Sequence, residues 1–238
     1  PYDMEEAWNE LLAQSASHVP FLRSEYLAEW WTTRGGGEWP DDAELAILTA
    51  HEEGELIGIA PLFIAEHEGK KQLLLLGSIE ISDYLDFICR SGDTERFCRE
   101  LLDYIKEQFI ETGRVAGVDL YNIVEDSPTL KALEEAAKEA DIDFEDKKLQ
   151  HSPYIPLPGD WETYLLSLDK KQRHEIRRKM RRAGEGQEAL EVYITTEAGR
   201  LEDDMEDFLE LMAQDEVKED FLSPLMREQM KSIMRCAF

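Results

Sequence analysis

The chain is poor in cations, poor in cysteine and without a long apolar run. Its 238 residues hold 26 Lys and Arg against 53 Asp and Glu, a formal net charge of −27. Such a field repels nucleic acid and anionic membrane over most of the surface, so DNA is excluded as a partner and RNA is disfavoured. Three cysteines, Cys89, Cys98 and Cys236, are odd in number and irregularly spaced. That argues against a disulfide framework and a cysteine zinc site, and a reducing cytoplasm is the simplest home. The longest apolar stretch, Ile57 to Ala65, is interrupted by Pro61 and falls far short of the ~20 residues of a membrane span, so no transmembrane segment is expected. The first residues do not read as a secretory signal. His18, His51 and His67 show no ligand spacing, and no His-x-x-x-His pair exists, so no metal is implied. Gly35-Gly36-Gly37 is not followed by Lys-Ser/Thr and is no phosphate loop. A Gly-x-Ser-x-Gly elbow is missing, which weakens a hydrolase reading.

What is present is a globular composition, 42% hydrophobic and 9% aromatic, on a chain long enough to bury a core. Apolar spacing predicts a helix over Met4 to Gln14 and another over Ser24 to Thr33, with Ser24 as cap. Trp30 and Trp31 read as core. Strands are expected at Leu45 to Ala50, Glu55 to Ala65, Gln72 to Leu76 and Tyr84 to Cys89, with hairpin turns at Glu53-Gly54 and Glu68-Gly69. A strong helix follows over Asp93 to Glu111, then a strand at Val115 to Tyr121. Ser127-Pro128 opens a helix to Ala140, and Ile142 to Leu149 reads as a further strand. Residues 1–150 therefore form an α/β domain, antiparallel hairpins followed by βαβ units in a mixed sheet covered by helices.

A second domain is expected over 151–238. Asp160 caps a long basic helix, 161–183, which Gly184 and Gly186 end. Leu190 to Thr195 alternates as a strand, and Leu201 to Gln214 and Pro224 to Arg235 are helical. Lys170 to Arg182 contains eight Lys or Arg and one acid, Glu175; its net +7 leaves −34 on the rest of the chain. The plain reading is a solvated helix whose cations suit its C-terminal end. The functional reading is an anion site for a phosphate-bearing substrate, with Lys170, Arg173 and Arg177 as binding residues.

The string Ser82-Asp83-Tyr84-Leu85-Asp86 is the other chemical candidate. Strand alternation puts Asp83 and Asp86 on opposite faces and Tyr84 with Asp86. It reads either as a loop cap and exposed strand or as a substrate edge, with Asp83 or Asp86 as a candidate general base. His151, Ser152 and Tyr154 lie at the domain junction; His151 is a linker residue or a base, and Tyr154 a substrate contact. His174 sits among cations that oppose its protonation.

The order of residues 1–150 resembles the GNAT acyltransferase fold. Four strings sharpen the likeness: Pro20-Phe21-Leu22 running to Trp30-Trp31, Gly58-Ile59-Ala60-Pro61-Leu62, Ser82 to Phe87, and Lys170 to Lys179. Together they resemble the CelD-like acetyltransferases of exopolysaccharide and cellulose biosynthesis, and more distantly the FemAB peptidyltransferases. The resemblance implies two GNAT-like domains, the second incomplete here. It implies an N-acyltransferase that uses acetyl-CoA or another acyl-CoA as co-substrate, with no covalent intermediate. The acceptor it implies is a sugar, sugar nucleotide or cell-envelope precursor, and FemAB relatives carry the nucleotide contact to Arg173 and Arg177.

Members of the fold seat the donor's pyrophosphate on backbone N–H groups at a helix start. Here that turn is Arg90-Ser91-Gly92-Asp93-Thr94-Glu95, with one cation and two acids, and Asp93 is expected to cap the helix. The turn reads as degenerate, which places the cofactor site beyond Phe238. Two alternatives stand beside the enzyme: a non-catalytic module binding an anionic partner, and an aminoacyl-tRNA-dependent transferase of FemAB type.

Overall fold

The computed structural model describes residues 4–185, 190 and 192–238. They form a mixed α/β protein of two compact units. The larger comprises the chain up to Lys148 together with Glu202–Phe238, and the smaller is Leu149–Leu201. The division expected at residue 150 is thus met again at 201, and the C-terminal helices group with the first segment.

The larger unit begins with α1 (Glu5–Leu12), which buries Trp8, Leu11 and Leu12 along one stripe. A 3-10 turn, Pro20–Leu22, leads into α2 (Ser24–Gly37). Ser24 is the first helical residue and not the cap: Arg23 holds the cap position with no side-chain cap bond, and the Ser24 hydroxyl donates to Glu25 instead. The glycines break the helical run: Arg34, Gly35 and Gly36 kink it with φ of 54°, 70° and 75°, the left-handed region that glycine enters at least cost. A Cβ on Gly36 would lie 2.9 Å from the Met226 Cα, so the glycine also permits close helix packing.

Seven short strands follow: β1 (Glu44–Leu45), β2 (Leu48–Glu52), β3 (Glu55–Ala60), β4 (Leu62–His67), β5 (Lys70–Leu75), β6 (Ile88–Cys89) and β7 (Gly117–Asp119). The single strand expected over Glu55 to Ala65 is two. Pro61 has a fixed φ and no N–H, so pairing stops there and the chain changes sheets. β3 pairs antiparallel with β2 and β6, while β4 pairs antiparallel with β1 and β5. β7 adds to β5 in parallel, which makes the second sheet mixed.

The core fills the sheet faces with Trp30, Phe63, Ile59, Leu73, Leu74 and Ile88, all fully buried. α3 (Thr94–Ile105), extended by a π-helical turn at Lys106–Ile110, packs on α4 (Pro128–Glu139). Ser127 caps α4 by accepting from the Thr129 amide, with Pro128 at the first position as the sequence predicts. Two expected strands are shorter: of Tyr84 to Cys89 only β6 pairs, and of Val115 to Tyr121 only β7. No strand forms at Ile142 to Leu149, whose side chains from Asp143 onward are exposed. Alternation without a neighbouring strand leaves nothing to pair with.

α7 (Ala198–Met212), α8 (Glu216–Phe221) and α9 (Pro224–Ala237) close the chain. α9 lies along α2, where the Thr33 hydroxyl donates to the buried Gln229 side chain. In the smaller unit the long helix expected at 161–183 is two, α5 (Trp161–Ser167) and α6 (Lys170–Gly184). Asp169 forces the break by capping α6, accepting from the Lys171 and Gln172 amides at 2.8 and 3.0 Å. Asp160 caps α5 as predicted. Gly186 lies outside the described residues. Of the strand expected at Leu190 to Thr195, Glu191 lies outside them too, and the described positions belong to no strand.

Candidate functional site

The segment 79–87 crosses the larger unit without regular structure and is held by side chains. Asn122 donates to the Ile79 and Ser82 carbonyls at 3.0 and 2.7 Å, and its own carbonyl accepts from the Leu85 amide at 2.9 Å. The Tyr26 phenol meets the Ser82 hydroxyl at 2.9 Å, and burial pushes that phenol above its ordinary pKa.

Asp86 ends this segment and is only 2% exposed. One carboxylate oxygen accepts from the Ser17 hydroxyl and, at 2.6 Å, from the Ser127 hydroxyl. The other accepts from the Phe87 amide at 2.8 Å. No cation is within ion-pair distance among the described residues; the Ser17 and Ser127 hydroxyls and the Phe87 amide are the carboxylate's donors. Asp86 therefore ties the loop after α1 to the start of α4. Asp83, the other expected carboxylate, is exposed and shares none of these bonds.

Above the Asp86 staple is a cleft of about 380 Å³, lined among others by Ser17, His18, Tyr84, Asp126, Ser127 and Pro128. Tyr84 is where the sequence reading puts a substrate contact. His18 and Asp126 were not legible as site residues: His18 has no partner spacing in sequence, and only the Asp86–Ser17 bond brings its loop to α4. Asp86 lies beneath the lining, so it positions the cleft.

A second concavity of about 400 Å³ adjoins the first, Pro128 lining both. Ser91, Gly92, Thr94 and Glu95 at the start of α3 and Lys131 in the first turn of α4 form its walls. The turn after β6 differs from expectation. Asp93 occupies the cap position but makes no side-chain cap bond; its carboxylate accepts from Arg90 at 2.8 Å and Arg96 at 3.1 Å. One of the two acids that would repel an anion is thus neutralised. Lys131, 37 residues beyond Thr94 in sequence, supplies a cation to that wall.

A further polar cluster joins β4 to β7: the His67 ring nitrogen and the Tyr121 phenol are 2.9 Å apart, with an Asp119 oxygen 3.7 Å from the same nitrogen. Burial raises the Asp119 carboxyl, opposed in part by His67. In the core, burial pushes the Cys89 and Cys98 thiols up, so neither is poised as a nucleophile. Among the described residues no group of three or more His, Cys, Asp and Glu is arranged to hold a metal ion.

In the smaller unit the expected binding residues have local roles. The Arg173 guanidinium lies 3.3–3.4 Å from the Leu165, Leu166 and Leu168 carbonyls at the end of α5. Arg177 pairs with Glu162 at 2.6 Å, and Arg178 with Glu175. Tyr154 is 86% exposed, and Lys170 is exposed at the start of α6. His151 and His174 are exposed. Comparison with family models, with curated proteins and with solved structures returns no match.

Proposed function

We propose that the chain is an acyl-CoA-dependent N-acyltransferase of GNAT type, with an amine on a sugar, sugar nucleotide or cell-envelope precursor as acceptor. The observation that carries this reading is the pair of adjoining concavities around Pro128. One offers Asp126, Tyr84 and His18, an acid-bearing cleft with largely apolar walls that suits an amine on a larger acceptor. The other combines two helix starts, the Ser91 and Thr94 side chains and Lys131, a donor set that fits the anionic end of a coenzyme. Glu95 on its wall and Glu135, 3.7 Å from the Lys131 ammonium, oppose an anion there.

Bound acyl-CoA supplies a thioester carbonyl as electrophile. The acceptor nitrogen attacks it, a C–N bond forms, the C–S bond breaks, and the sulfur leaves as thiolate. His18 is the side chain of the cleft best suited by type to take the amine proton. Ser17 and Ser127, fixed by Asp86, orient the acceptor by hydrogen bonds.

Release of free coenzyme A from acetyl-CoA, with glucosamine and a UDP-amino sugar as acceptors, tests this. Lys131→Ala should raise KM for acetyl-CoA about tenfold with kcat little changed, the loss of one charge-assisted contact. His18→Ala should lower kcat by 10²-fold or more. Failure of acetyl-CoA to bind the chain in calorimetry would refute the donor site at α3 and α4. The exposed cations of α6 favour a second reading, a non-catalytic module for an anionic partner; anion binding without any turnover would select it.

A further inference from the structure

The smaller unit carries chemistry that the acyl-transfer reading leaves unused. Four of its acids are engaged, Asp160 and Asp169 as helix caps and Glu162 and Glu175 in pairs with Arg177 and Arg178, while Glu185 and Glu197 are exposed. Five of its cations are also unengaged. Lys170, Lys171, Lys179, Arg181 and Arg182 have no ion-pair partner among the described residues, and all are exposed. At 100° per residue, Lys170, Lys171, Arg181 and Arg182 fall on one face of α6, opposite Ile176. The result is a cationic strip about 20 Å long on a protein whose charge is otherwise strongly negative.

The same unit displays large apolar side chains to solvent. Tyr154 is 86% exposed and Leu157 81%, with Ile155, Trp161, Leu166 and Met180 each about half exposed or more. The segment before α5 reads His-Ser-Pro-Tyr-Ile-Pro-Leu-Pro-Gly-Asp-Trp. Its three prolines lack N–H groups and fix φ, so it is a poor strand for completing a sheet. Tyr and Trp beside Leu and Ile, next to a row of unpaired Lys and Arg, is the composition of a segment lying in a lipid interface. Nucleic acid would use the cations and leave the aliphatic side chains without a role.

We propose that the smaller unit docks on an anionic lipid bilayer, the α6 cations facing the headgroups and the Tyr154–Trp161 segment entering the interface. The acidic remainder does not forbid it, because at 0.15 M salt charges more than about 8 Å from the surface are largely screened. The proposal is independent of the acyl-transfer reading, since it involves neither concavity.

The test is co-sedimentation of the full chain with vesicles of neutral phosphatidylcholine or of phosphatidylcholine with 30% phosphatidylglycerol, without acyl-CoA. Binding should require the anionic lipid and fall steeply between 0.05 and 0.5 M salt. Each Lys or Arg near an anionic surface strengthens partition about fivefold, so Lys170→Gln/Lys171→Gln/Arg181→Gln/Arg182→Gln should weaken it by several hundredfold. Circular dichroism checks that this variant remains helical. Tyr154→Ser/Leu157→Ser, outside the helix, should weaken binding at least tenfold with the salt dependence retained. No binding to anionic vesicles at 0.05 M salt overturns the proposal. So does equal binding to neutral vesicles, capture of an oligonucleotide in place of vesicles, or a dimer seen by light scattering that takes up no vesicles.

Discussion

Replacing Asp86 by Ala tests the staple under the candidate cleft. The carboxylate accepts from two serine hydroxyls and one amide, and is 2% exposed. A hydrogen bond to a charged group contributes about 1.5–3 kcal/mol, so three lost together set an upper bound near 9 kcal/mol. The bound is not reached, because water enters the space left by the carboxylate and both hydroxyls turn toward other acceptors. Ser127 retains its bond from the Thr129 amide, so the α4 cap survives. The net cost should be about 3–4 kcal/mol, or about 10 °C in Tm for a chain of this size. Asp86→Asn keeps the shape and one carbonyl acceptor, while its amide can donate to hydroxyls that turn to accept; it should cost about 1–2 kcal/mol. Urea denaturation followed by tryptophan fluorescence measures both. A loss under 1 kcal/mol for Asp86→Ala would refute the staple. Turnover separates positioning from chemistry: near wild-type kcat in Asp86→Asn fits a residue beneath the cleft, whereas an abolished kcat at unchanged Tm would put it in contact with the reacting atoms.

Gly58→Ala should destabilise by about 2–3 kcal/mol, because its Cβ would lie 2.3 Å from the buried Phe97 ring on α3; thermal melts read this directly, and a neutral result would mean the helix is not seated on β3 as described. The Cys89 and Cys98 thiols are 3% and 0% exposed and raised by burial, so the unfolded chain ionises first as pH rises past the ordinary thiol value of about 8.5. The unfolded state then binds fewer protons, so stability should fall between pH 7.5 and 9.5, measured as the urea midpoint and flattened in Cys89→Ala/Cys98→Ala. Of the three thiols only Cys236 is exposed, so Ellman's reagent should find one fast equivalent in the native protein and two more after unfolding; three fast equivalents would contradict the buried pair. Deleting residues 215–238 should remove the cover of α2 and leave Trp30 more quenchable by acrylamide, with a Tm fall well beyond 10 °C.

Local chemistry was readable wherever it acts within a few residues. The helices at α1, α3, α4, α7 and α9 follow from apolar spacing, and Ser127 and Asp160 are legible caps because a cap reaches only two or three residues ahead. Asp169 is equally local, but a cap inside an otherwise helical pattern looks like any polar position. At Tyr84, Val115 and Ile142 alternation exists but partners are short or missing. The candidate cleft was least legible. Tyr84 stood out in a string of acids and aromatics, whereas His18, Asp126 and Lys131 carry no motif.

By itself the sequence determined the charge imbalance, the absence of a long apolar run, the α/β class and the cationic face of α6, because each depends on composition or on a single periodicity. Only tertiary structure decided that the chain changes sheets at Pro61, that α9 covers α2, and that Asp86 is a buried tie. The same holds for the meeting of α3 and α4 at Pro128, and the physical reason is common to all four. Each depends on contacts between residues dozens or hundreds of positions apart, from Ser17 to Asp86 and from Thr33 to Gln229. Such contacts are selected by the burial of the whole core and leave no mark in a local pattern.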